Sequence, residues 1–295
     1  MPKLDVYQSL WAMDPGRGSH DAASTEEYFA LIKNAGFAGA AIDLATSDRD
    51  TAYKTMPLFR QYELGCVINA FPASMDDVLP VLEMAREFNA VVVNIIAQVI
   101  PSGVEEASLM VQDWMEEAEK ENVNIEFETH RNSVTNDLGY TVRLLDAVPD
   151  MKLGVDLSHY VVDREFDLPL KDEEAELIDK ILRRADAFQG RISSAQQIQL
   201  QLEFPQHQKW VVQFLDWWEA GFRYWRKRAD VDDRLIFQTE LAPPEYAMTG
   251  PDGMEMSNRW DESLIMKGWV EDLWKRLEKE EIDATVSGDK DTPGA

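Results

Sequence analysis

The sequence predicts an α/β fold, a single-domain (β/α)8 TIM barrel. Three observations carry that prediction. Short β-rich runs alternate with longer amphipathic segments from one end to the other, the alternation repeats eight times, and no compositional break divides the 295 residues. Neighbouring parallel strands need a crossover of about a dozen residues, and every connection is long enough to hold a helix. An α/β barrel commonly fills about 250 residues as one domain. The expected bounds are therefore residues 1–280 for the barrel and 281–295 for a disordered C-terminal tail.

In chain order, the first strand is expected at 3–10 and the first helix at 25–35. Ser24-Thr25-Glu26-Glu27 has the form of a capping box at its start, and Gly36 stands where a C-cap is wanted. The second unit reads as strand 37–44 and helix 48–62. The third is strand 65–71 and helix 75–88, with Ser74 ahead of Met75-Asp76-Asp77 as the start signal. Strand 90–96 with helix 105–121, strand 123–130 with helix 134–147, and strand 152–158 with helix 172–184 follow by the same alternation. The seventh strand, 187–192, leads into a Gln-rich connection at 191–204, expected to be either functional or an oligomer contact. The next helix, 205–228, accepts Pro205 in its first turn. Its Trp210, Trp217, Trp218 and Trp225 are spaced near multiples of 3.6 and read as core or interface. Strand 234–240 and helix 261–279 complete the eighth unit. Beyond Glu281 the apolar periodicity is lost, which marks the tail.

Composition excludes several classes. With 29 Lys+Arg against 55 Asp+Glu the formal net charge is −26, which argues against nucleic acid and against an anionic membrane surface. Excess carboxylate suits a divalent cation or a neutral substrate, or serves solubility alone. The 12 Phe, 9 Trp and 8 Tyr supply too much apolar surface for a disordered chain. Cys66 is the only cysteine, so neither a disulfide framework nor a thiolate zinc site is available. The residues after Met1 lack the apolar core of a signal peptide. The longest apolar stretch, 90–99, is interrupted by Asn94 and Gln98. The expectation is a cytoplasmic protein, with a homo-oligomer allowed.

In a (β/α)8 barrel the active site lies at the C-terminal ends of the strands. Alternate side chains of a strand face opposite sides, so parity tests which polar groups share the barrel axis. If Glu128 points inward, Ile125, Phe127 and Thr129 face the helices, as suits them. The same rule sends Asp156 inward with Leu153, Val155 and Leu157 outward. It sends Gln189 inward with Phe188 and Ile192 outward, and Glu240 inward with Leu235 and Phe237 outward. Glu126 shares the inward parity at a deeper level. Three carboxylates in one cavity repel each other unless a cation offsets them. Glu128, Asp156, Gln189 and Glu240 offer an all-oxygen shell of the kind that suits Mn²⁺ or Mg²⁺. The alternative is that these acids cap helices or pair with Arg131 and Arg191.

The chain resembles the xylose isomerase-like TIM barrels, the sugar phosphate isomerase/epimerase group. The resemblance rests on Phe127-Glu128-Thr129-His130, Asp156-Leu157-Ser158-His159 and Thr239-Glu240-Leu241-Ala242-Pro243-Pro244, in that order on strands five, six and eight. It extends over residues 7–274. It implies one divalent metal held by Glu128, Asp156, residue 189 and Glu240, where the family usually has His and this chain has Gln189. Arg191 matches the Arg that follows that His by two. It implies proton transfer next to a carbonyl through an enediolate, with Glu128 and Glu240 as base and acid. His159 and Arg191 would meet substrate oxygens, His130 would line the pocket, and Trp11 would stack on a sugar-like ring.

The reaction expected is that of a metal-dependent sugar isomerase or epimerase on a sugar or polyol-like substrate. A lyase or dehydratase on the same scaffold is the alternative. A non-catalytic sugar-binding barrel is a second, because of Gln189. With only His20, His130, His159 and His207, a multi-zinc nuclease site has too few imidazoles. His20 and His207 read as exposed loop residues, and Asn69, Asn94 and Gln98 as groups lining the pocket or satisfied elsewhere. No Gly-rich phosphate loop or nucleophile elbow occurs.

Overall fold

A computed structural model describes residues 1–14 and 24–288. His20 lies outside the described residues. Eight parallel strands close into a barrel in sequence order: β1 (Lys3–Ser9), β2 (Gly39–Asp43), β3 (Gly65–Ala70), β4 (Val92–Ile95), β5 (Ile125–Glu128), β6 (Leu153–Val155), β7 (Ala185–Gly190) and β8 (Arg234–Thr239). Closure is made by β1 against β8, with Tyr7 opposite Gln238 and Gln8 opposite Thr239.

The helices are α1 (Thr25–Asn34), α2 (Arg49–Tyr53), α3 (Met56–Gln61), α4 (Met75–Phe88), α5 (Val104–Lys120), α6 (Leu138–Ala147), α7 (Leu157–Asp163), α8 (Asp172–Leu182), α9 (Gln208–Arg226) and α10 (Arg259–Gly288). Ser24 and Glu27 form the expected capping box, each side chain bonded to the other's main-chain N–H. Gly36 follows the helix with φ +73°, a left-handed conformation open to glycine. The main core lies between the outward faces of the strands and the helices. There Trp218 packs edge-on against Phe237 at 5.0 Å, and Trp210, Trp217 and Trp225 are buried with it. A separate cluster of Tyr7, Ala41, Val67 and Val92 fills the barrel interior below the mouth.

Three elements and the placing of one histidine differ from the sequence expectation. The helix expected at 48–62 is two, because Pro57 restarts the chain in the first turn of α3. The sixth strand stops at Val155, three residues early, because the Asp156 side chain accepts from Ser158 N and caps α7. The last helix continues from Glu281 to Gly288, into the segment expected to be tail. At the beginning of that extension Arg226 Nε and Nη2 lie 2.8 and 2.5 Å from the Glu281 carboxylate. His207 is buried rather than exposed, its Nδ1 2.8 Å from the Gln201 carbonyl.

The Gln-rich connection is tied into the chain itself. Gln199 Nε2 donates to Ala242 O at 2.9 Å and its Oε1 accepts from Ala242 N at 2.7 Å, which braces the turn after β8. No helix among the described residues is long and apolar enough to cross a membrane.

Candidate active site

The barrel mouth is assembled from inward residues at the ends of β5 to β8. Glu128 ends β5 and is 3% exposed. Asn94, from β4, donates a short hydrogen bond to Glu128 Oε2 and another to Asn69 Oδ1 at 3.1 Å, so an amide chain from β3 to β5 orients the carboxylate. This crowding depends on β6. A Cβ at Gly154 would lie 2.6 Å from Asn94 Oδ1 and 2.9 Å from Glu126 Oε1, and only glycine leaves both that room.

Asp156 has two jobs, one for each oxygen. Oδ1 accepts from Ser158 N at 2.8 Å, while Oδ2 is buried with no hydrogen-bond partner among the described residues. Thr129 Oγ1 locks the strand ends together, donating to Asp156 O and accepting from Asp156 N, both at 2.8 Å. Glu240 and Gln189 repeat the pattern of an oxygen left over. Glu240 Oε1 is 3.0 Å from Arg191 Nη2 and Oε2 is unpartnered; Gln189 Oε1 is likewise buried and unpartnered. One oxygen each from Glu128, Asp156 and Glu240 lie within 4.8 Å of one another.

The alternative of acids paired off with separate arginines is met only in part. Arg191 reaches two of them, Glu240 at 3.0 Å and Asp156 Oδ2 at 3.7 Å. Arg131 donates instead to Tyr246 Oη at 2.8 Å. Helix capping accounts for one oxygen of Asp156 and for none of Glu128 or Glu240.

Electrostatics follow from burial. Desolvation, then the charges of Glu240 and Asp156, push Glu128 well above the usual carboxylate range. Desolvation raises Glu240 to about 7 against the pull of Arg191, and raises Asp156 as well. Burial works against the Arg191 charge, but the carboxylates of Glu240 and Asp156 outweigh it and hold the guanidinium above its ordinary value. Deeper in the barrel, burial raises Glu126 to about 8.

Each unpartnered buried oxygen costs about 1–3 kcal/mol. Three such atoms on Asp156, Gln189 and Glu240, beside the Glu128 carboxylate, fit a hard divalent cation, which takes oxygen donors and repays that cost.

The other predicted residues surround this cluster. A cavity of about 240 Å³ is lined by Trp11, His130, Arg191, Glu128 and Glu240. That is below the roughly 300–1,000 Å³ of sites for drug-sized ligands, a size for a small polar molecule. His130 and His159 touch, with ring centroids 4.0 Å apart. His159 sits on α7 rather than on a strand and is 2% exposed. Asn69 and Asn94 are inside the barrel, whereas Gln98 is exposed.

Asp43 and Tyr246 are among the lining residues that the sequence reading does not name. Asp43 ends β2, with Oδ1 accepting from Ala45 N at 2.9 Å and Thr46 N at 3.2 Å. Its parity, inward between Ile42 and Leu44, was available in the sequence. Tyr246, in the connection after β8, stands edge-on to Trp11 at 5.2 Å and beneath Arg191 at 5.3 Å. Nothing periodic in its surroundings signals that place.

No family model and no curated protein matches the sequence. Solved structures do match. An L-ribulose 3-epimerase shares 12% identity at a TM-score of 0.60, covering 99% of this chain and all (100%) of the other. The probable 3-DHS dehydratase AsbF of Bacillus anthracis shares 15% at 0.53, covering 82% and 94%. A xylose isomerase-like TIM barrel protein from Mycobacterium smegmatis, in complex with magnesium, shares 12% at 0.57, covering 92% and 99%. The chain has the xylose isomerase-like TIM barrel fold. Within that fold, sugar epimerases and a dehydratase stand at similar distance from this barrel.

Proposed function

We propose that this barrel is a metal-dependent sugar isomerase or epimerase that moves a proton next to a carbonyl. The observation that carries the reading is the convergence of Glu128, Asp156 and Glu240 from three strand ends, with unpartnered oxygens on Asp156, Gln189 and Glu240. Glu128, Asp156, Gln189 and Glu240 would hold Mn²⁺ or Mg²⁺. Such an ion supplies Lewis-acid charge that stabilises negative charge developing on a carbonyl oxygen.

The chain's own groups do the rest. Glu240 is held at Oε1 by Arg191, which leaves Oε2 as the oxygen that faces the ion and the substrate. Glu128 is held at Oε2 by Asn94 on a different strand, so the two glutamates can serve as base and acid on opposite faces of one substrate. Trp11 offers an aromatic face for a sugar ring, and His130, His159 and Arg191 are the substrate-facing polar groups. The small cavity and its acidic lining favour a neutral polyhydroxy carbonyl compound.

The second reading, a lyase or dehydratase, is supported by the dehydratase among the structural neighbours. Incubation with ketoses and Mn²⁺ in heavy water separates the two. An epimerase or isomerase exchanges deuterium into the carbon beside the carbonyl and keeps the substrate's formula, whereas a dehydratase loses water. No exchange and no product with any ketose would sink the isomerase reading.

A further inference from the structure

We infer that Asp43 and Asn69 form a hydroxyl-binding subsite on the wall of the mouth opposite the acid cluster, and that it selects an unphosphorylated polyol chain. The inference rests on the proposed function in placing the carbonyl end of the substrate at the acids. It deepens that reading by naming what holds the other end.

Asp43 ends β2, and Asn69 is its direct partner on β3. Strands four apart in a closed eight-stranded barrel lie across the axis from each other. β2 therefore faces β6, which leads into Asp156, and β3 faces β7, which carries Gln189. Asp43 and Asn69 both line the cavity of about 240 Å³, and they are only 4% and 1% exposed.

Each side chain is fixed at one atom and unmatched at another. The main-chain N–H groups of Ala45 and Thr46 both bind Asp43 Oδ1, at 2.9 and 3.2 Å, which leaves Oδ2 to accept from the cavity. Asn69 Oδ1 accepts from Asn94 Nδ2 at 3.1 Å, and this settles which end of the amide is oxygen. Its Nδ2 is then a buried donor with no partner among the described residues, Asp43 included. A buried donor left unmet carries a desolvation cost. A hydroxyl is the group that meets both atoms, giving its proton to Asp43 Oδ2 and accepting from Asn69 Nδ2.

Charge decides against an anionic end. A phosphate or carboxylate on this wall would meet the Asp43 carboxylate in a confined cavity, where like charges repel strongly. Among the described lining residues the single cation is Arg191, already engaged by Glu240 and Asp156. Arg131, the next guanidinium, donates to Tyr246 Oη.

Deuterium exchange by the full chain in heavy water with Mn²⁺ tests this. The substrates are five- and six-carbon ketoses, their terminal phosphates, and analogues each lacking one hydroxyl remote from the carbonyl. A free ketose should exceed its phosphate in kcat/KM by at least about tenfold. Asp43→Asn keeps the oxygen that binds Ala45 and Thr46, and Asn69→Asp keeps the one that binds Asn94. Each should lower kcat/KM for the free ketose by about ten- to a hundredfold, chiefly through KM. For the analogue that lacks the hydroxyl being read, the same variants should change little further. Circular dichroism checks folding, and if neither variant folds the preference of the unaltered chain decides. A preferred phosphate, or variants that act on the free ketose like the unaltered chain, overturns the subsite and spares the proposed function. If nothing exchanges, the isomerase reading falls, and saturation-transfer NMR with xylitol, which has no carbonyl, decides the subsite by itself. Xylitol bound by the unaltered chain and lost in the variants keeps it; no binding, or binding that the variants leave intact, overturns it too.

Discussion

Arg191 holds Glu240 at two points: Nη2 lies 3.0 Å from Oε1, and Nε donates to the main-chain carbonyl at 3.2 Å. The clasp fixes the carboxylate's plane and leaves Oε2 as its one unengaged oxygen. The same guanidinium reaches Asp156 Oδ2 at 3.7 Å. One cation of the chain thus sets the geometry of two acids without satisfying either fully.

Glu240→Gln keeps the side chain's size and its contact with Arg191 but removes the proton-transfer group. Turnover should fall by about 10²–10⁴-fold, with the circular dichroism spectrum unchanged. Retained activity would take Glu240 out of the mechanism.

Gln189→His offers an imidazole to the oxygen cluster. Affinity for Co²⁺ or Zn²⁺, measured by competition with a chelating dye, should tighten by at least about tenfold, or about 1.4 kcal/mol. An unchanged affinity would place residue 189 outside the ligand shell.

Gly154→Ala should destabilise the fold by about 1–3 kcal/mol in urea unfolding, because the added Cβ meets Asn94 Oδ1 and Glu126 Oε1 inside 3.0 Å. Asn94 is held in place by its hydrogen bonds to Asn69 and Glu128. A neutral result would mean that the inward packing of β4, β5 and β6 is looser than these distances.

Stability should fall as pH rises. Glu126 is raised by burial to about 8, against roughly 4.3 in an unfolded chain. Between those values the folded state binds the extra proton, so stability is full below about pH 4 and is lost on the way to pH 8. The loss is of the order of a few kcal/mol. Glu126→Gln, which mimics the protonated form, should flatten that part of the profile in thermal melts at pH 5 and pH 8. If the variant and the unaltered chain lose stability in parallel, another group is responsible.

How much of this was legible in the sequence depends on how local each cause is. The eight-unit alternation and the inward parity of Glu128, Asp156, Gln189 and Glu240 are local periodicities, and the barrel follows them. The start of α7 is not legible because Asp156 directly follows a strand and spends one oxygen on a cap. Asp43 obeys the same parity rule as the other acids. Tyr246 and the buried His207 depend on contacts made across the fold, to Trp11 and to the Gln201 carbonyl. No periodicity in a single chain reports those contacts. The last helix outruns its apolar pattern, with Glu281 paired across the fold to Arg226.

The central claim is that the acids at the mouth share an ion. Crystals soaked in Mn²⁺ and measured at its absorption edge test it most directly. The account predicts one strong anomalous peak at coordination distance from oxygens of Glu128, Asp156, Gln189 and Glu240. A map with no peak among these residues, or with Arg191 still filling the space between Asp156 and Glu240 at saturating Mn²⁺, would contradict it.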